Sequence, residues 1–137
     1  MNYVRIALAA LASLVVYFVL GALFFAGGPL RREFEKFPAI YRTPESMKAT
    51  LPYGIGGMML AMLALSVLFA CLRADGSVWV QGLRFGALVG AFAVGSFVLH
   101  NYVNLNIGLR LTIGQAIAYF VQWVVVGLVI AWVYKPA

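Results

Sequence analysis

The chain has 137 residues, 64% of them hydrophobic and 10% charged, with a formal net charge of +6, whereas soluble domains carry roughly 25% charged residues. A soluble fold of this size cannot hide so much apolar surface, so the chain reads as an integral-membrane protein. Its basic residues are scattered over loop edges without a stripe of interleaved aromatics, which argues against nucleic acid and for lipid phosphates as counterions.

Residues 6–26, IALAALASLVVYFVLGALFFA, form the first uncharged run long enough to span a bilayer core, which takes about 20 apolar residues in a helix. This run exceeds the usual signal-peptide core of about 7–15 residues. Phe24 also stands where cleavage after Ala26 would want a small residue. The run therefore reads as a retained span.

Residues 27–50 carry three prolines and most of the charge of the chain. Leu30, Phe34, Phe37 and Tyr41 recur at helical spacing opposite Arg31, Arg32, Glu35 and Lys36, which predicts a short amphipathic surface helix over residues 30–37. Pro38 and Pro44 limit it, and residues 43–45 read as the cap of the next helix.

The second span, residues 51–72, places Gly54, Gly56, Gly57 and Ala61 on a small-residue face and ends near the lone Cys71. One cysteine excludes an intrachain disulfide and any cysteine-built zinc or iron–sulfur centre. The turn RADGS, residues 73–77, then makes the second and third spans antiparallel neighbours.

In the third span, residues 78–100, Gly82, Gly86 and Gly90 fall four apart and line one helical face. Small residues at that spacing let two backbones approach closely, within the bundle or across a homodimer. The glycine faces of the second and third spans are expected to touch. Arg84 admits two readings, snorkelling to the headgroups or pairing with Asp75.

Residues 101–112 connect to the fourth span, residues 113–134. This connection shares a side with the first loop, and both termini share the side of residues 73–77. Tyr3, Trp79, Trp132 and Tyr134 mark the terminal side, and Tyr53 and Tyr102 the loop side, as interfacial aromatics should. Arg31, Arg32, Lys36, Arg42, Lys48 and Arg110 weight the loop side towards the cytosol; Arg5, Arg73, Arg84, Lys135 and the amino terminus oppose them. The orientation stays open.

His100, the only histidine, lies at the end of the third span, one turn from Asn104. Gln115, Tyr119 and Gln122 stand at i, i+4 and i+7 on one face of the fourth span. Lipid offers buried amides no hydrogen-bond partner, so these five residues are expected to converge inward at the loop-side end. Two readings follow: an interhelical hydrogen-bond clamp, or the polar end of a cavity for a lipophilic molecule with a carbonyl or phosphate head. A third, a haem held by His100 from each of two subunits, lacks a second histidine in the chain. Paired intramembrane acids and a serine–histidine–acid set are missing, and one histidine cannot build a zinc site. The sequence therefore points to a non-enzymatic protein with no cofactor or metal.

LHNYVNLNIG at residues 99–108, followed by AYFVQWVVVGLVIAWVY at 118–134, resembles small bacterial four-span integral-membrane proteins catalogued as a domain of unknown function. The resemblance implies a multi-pass protein of the bacterial cytoplasmic membrane and carries over no catalytic residue. The expected fold is an all-α four-helix transmembrane bundle forming a single domain. The expected function is association with itself or another membrane protein, alternatively the binding of a lipid-like molecule.

Overall fold

The computed structural model describes residues 1–73 and 75–135. Four helices in it are long and apolar enough to cross a membrane: α1 (Tyr3–Ala26), α3 (Pro44–Leu72), α4 (Val78–Asn104) and α5 (Leu109–Tyr134). A short helix, α2 (Arg31–Phe34), lies in the first loop. The chain thus has the all-helical architecture of a multi-pass membrane protein.

Local chemistry explains where the helices start. The Asn2 side chain accepts a hydrogen bond from the Arg5 N–H at 3.1 Å, capping α1. Thr43 accepts one from the Ser46 N–H at 3.3 Å, with Pro44 in the first turn, where its missing N–H is harmless. Helix α3 therefore begins seven residues before the apolar run and passes through Pro52 without a break. Between α3 and α4, Gly76 adopts φ +127°, a conformation that favours glycine and suits the Asp75–Gly76 step.

The helices pack in the order α3, α1, α5, α4. Helix α5 is the centre: ten of its residues are buried, against three of α3. At the terminal end, Ile6, Ala9 and Ala10 of α1 form one core with Met62 and Phe69 of α3 and Val126, Ile130 and Tyr134 of α5. The Tyr134 hydroxyl accepts from the Asn2 N–H at 3.3 Å, and the Arg5 guanidinium donates to the Lys135 carbonyl. The two termini therefore meet at the end where Arg73 lies 6.0 Å from the Tyr134 ring.

The glycine faces do not pair as the sequence suggests. Gly82, Gly86 and Gly90 are buried against α5, not α3. A Cβ on Gly86 would lie 2.7 Å from the Trp123 carbonyl oxygen and the Val124 Cα, and one on Gly127 would lie 2.5 Å from the Gly86 Cα. By contrast, a Cβ on Gly54, Gly56 or Gly57 would meet nothing within 4 Å. The reason is the packing order: α1 and α5 come between α3 and α4. The short turn holds those two helices together at one end, where the Phe69 and Phe85 rings sit 5.3 Å apart.

Candidate functional site

The polar stripe of α5 faces inward. Gln115 and Gln122 are 5% and 0% exposed, and Tyr119 is half-buried between them. Gln122 reaches across to α1, where its Nε2 donates to the Tyr17 carbonyl at 2.6 Å. Gly21, one turn further along α1, lies beside that amide: a Cβ there would be in contact with Nε2 at 3.4 Å. The Gln122 Oε1 is buried without a partner, as are the hydroxyls of Ser13 in α1 and Ser66 in α3.

Tyr119 sits inside an aromatic cluster. Its ring lies 5.1 Å from Phe25 and 5.7 Å from Phe97, and Phe25 continues the cluster to Phe34 at 5.9 Å, which meets Tyr41 at 4.7 Å. Phe25 and Phe97 belong to two π-helical turns, Ala22–Ala26 at the end of α1 and Val94–Leu99 within α4. Each turn thus presents a ring to α5.

The turn in α4 also decides where His100 and Asn104 go. In a regular helix Phe97, seven residues after Gly90, would return to the glycine face, because each residue advances about 100°. Instead Val98 is 0% exposed and Phe97 is 50% exposed, as one inserted residue requires. The same added rotation, about 100°, swings His100 and Asn104 outward. Both are exposed, and the Asn104 amide donates to the His100 carbonyl of its own helix at 2.8 Å. The structure therefore brings together Gln115, Tyr119 and Gln122 but not His100 or Asn104. Arg84 is exposed and forms no ion pair among the described residues.

At the loop-side end, α2 and its flanks dock on α5. Leu30 is buried with its side chain directly over Gly114, and Phe37 approaches Gly108. Glu33 is the hub: Lys36 pairs with it at 2.8 Å and Arg110, from the first turn of α5, at 3.5 Å. The hydrogen bond from Lys36, helped by the charges of Lys36 and Arg110, holds the Glu33 carboxyl below the usual carboxylate range despite some desolvation.

Sequence reasoning missed Gly127, Gly114 and Tyr17. Gly127 and Ala131 stand four apart in the fourth span, the same small-residue spacing that singled out Gly82 and Gly86, so a signal was present. Nothing local marks Tyr17, whose backbone carbonyl meets Gln122 while its ring packs 5.2 Å from Trp123.

Among the described residues, no three of His, Cys, Asp and Glu are grouped to hold a metal ion. No family model matches this chain, and neither a curated protein nor a solved structure matches it.

Proposed function

We propose that this chain is a non-enzymatic, multi-pass protein of the bacterial cytoplasmic membrane that works by self-association through an uncovered face of α3. The observation that carries this reading is the emptiness around Gly54 and Gly57, where an added Cβ would meet nothing within 4 Å. Glycine in a helix interior costs about 1 kcal/mol relative to alanine, a cost that close backbone approach by a partner helix can offset. In α4 the fold itself supplies that approach. In α3 it does not.

Gly54, Gly57, Ala61, Ala64 and Leu68 follow a 3-4-3-4 spacing, which keeps them on one seam of α3. By helical rotation the seam lies about 120° round from the side of Met62, Ser66 and Phe69, which is buried within the bundle. Gly54, Gly57, Ala64 and Leu68 are exposed and Ala61 is half-exposed. A second copy of the same seam is its natural complement, because a two-fold contact pairs one patch with itself and small residues then meet small residues.

The test is the molar mass of the protein in mild detergent, by light scattering, for the native chain and for Gly57→Leu. The native chain should be dimeric, and Gly57→Leu monomeric with unchanged helix content, since the new side chain enters open space within the protomer. A native monomer, or a Gly57→Leu dimer of undiminished strength, would overturn the reading. If the native chain were monomeric alone but purified with another membrane protein through α3, self-association would give way to service as an accessory subunit.

A further inference from the structure

We propose that the cavity between the loop-side ends of α1 and α5 is a binding site for a net-anionic phosphate headgroup, one whose charge is not offset by a cation of its own. Its wall is built from the backbone turn that leaves α1. A Cβ on Gly28 would clash with the carbonyl oxygens of Leu23 and Phe24, so the turn can fold this tightly only around glycine. Two residues on, Leu30 is buried over Gly114, which fixes the turn against α5 where α1 leaves its apolar run. The half-open cavity so formed measures about 470 Å³, within the range of roughly 300–1,000 Å³ usual for small-molecule sites.

The charge lining this cavity is one-sided. Arg31, Arg32 and Arg110 face it with a single acid, Glu33, three positive charges against one negative. Glu33 is already engaged by Lys36 and by the Nε of Arg110, and Arg31 uses its own Nε on Glu35 at 3.0 Å. A guanidinium carries five N–H donors, so both arginines keep their terminal nitrogens for another acceptor. Arg32 enters no ion pair among the described residues. Converging arginine forks suit a phosphate, whose several oxygens can accept from more than one of them, better than a carboxylate, which one fork satisfies.

The arrangement goes beyond ordinary snorkelling. Scattered interfacial arginines each find headgroups independently, whereas here Leu30 seated over Gly114, with the Glu33–Arg110 ion pair beside it, sets the three cations around one volume. Exposed Leu23 and Leu109 stand beside it in sequence, apolar surface for the chains of a lipid whose head fills the cavity. A free phosphate would share the same chemistry at the head.

Native mass spectrometry of the full-length protein, delipidated in detergent and titrated with phosphatidic acid or phosphatidylcholine, tests this. The native chain should retain phosphatidic acid at least about tenfold better than phosphatidylcholine, and Arg32→Gln should lose about that factor, the equivalent of one charge-assisted hydrogen bond. Arg42→Gln, in the same loop but outside the cavity, should leave retention unchanged. Competition with inorganic phosphate separates the sources: displacement of the lipid at millimolar phosphate marks a site for the free anion, and its persistence marks a lipid site. Equal retention of both lipids, or equal losses in Arg32→Gln and Arg42→Gln, would overturn the proposal. Arg110→Gln adds a second reading of the same site, and if it unfolds the loop, Arg32→Gln still decides, because Arg32 enters no ion pair among the described residues.

Discussion

Gly86 of α4 and Gly127 of α5 touch backbone to backbone: a Cβ added to Gly127 would lie 2.5 Å from both the Cα and the N of Gly86. In lipid, where apolar side chains gain little by leaving their surroundings, such close packing is a principal source of cohesion between spans. Gly86→Leu should therefore destabilise the fold at or above the 1–3 kcal/mol typical of overpacking, since the obstacle is main chain and cannot rotate away. A thermal melt in detergent reads this directly. An unchanged melting temperature would mean that α4 and α5 do not meet at this point.

Gln122 should behave differently. Its amide makes one hydrogen bond, to the Tyr17 carbonyl, while its Oε1 is buried without a partner. Gln122→Leu removes a bond worth about 1 kcal/mol and at the same time an orphaned acceptor that costs a comparable amount. Stability should shift by less than about 1 kcal/mol. A large loss would show that Oε1 is satisfied in the membrane by a group that the bare chain does not contain.

The Glu33 hub predicts a pH response confined to the first loop. The folded carboxyl titrates below its ordinary value, so its contribution is fully present above the unfolded pKa and is lost as pH falls through the depressed folded pKa. Hydrogen exchange over residues 27–41 should quicken only at pH below the usual carboxylate range, and Glu33→Gln should show the faster exchange already at neutral pH. Exchange in Glu33→Gln no faster than in the native chain would remove Glu33 as the tie between α2 and α5.

Four spans, the surface helix and the inward stripe of Gln115, Tyr119 and Gln122 were legible in the sequence because each rests on local periodicity and hydropathy. Which glycine face meets which was not. Small-residue faces are interchangeable in composition, and the choice of α5 over α3 for Gly82, Gly86 and Gly90 depends on the order of four helices. The outward turn of His100 was equally hidden, because one residue inserted between Val94 and Leu99 rotates everything beyond it and leaves no mark in hydropathy. Leu30 shows the intermediate case: its place on an amphipathic face is readable, but its seat over Gly114 is a tertiary contact.

The most direct measurement of the central claim is disulfide cross-linking between copies in native membranes, from single cysteines placed along α3 in a Cys71→Ala background. Gly57→Cys, Ala61→Cys, Ala64→Cys and Leu68→Cys should cross-link, while Leu63→Cys and Val67→Cys, exposed on the other flank of the same helix, should not. Cross-linking that follows this 4-3-4 rhythm is the result expected of a symmetric α3 interface. Absence of cross-links at all four seam positions, or equal cross-linking on both flanks, would contradict it.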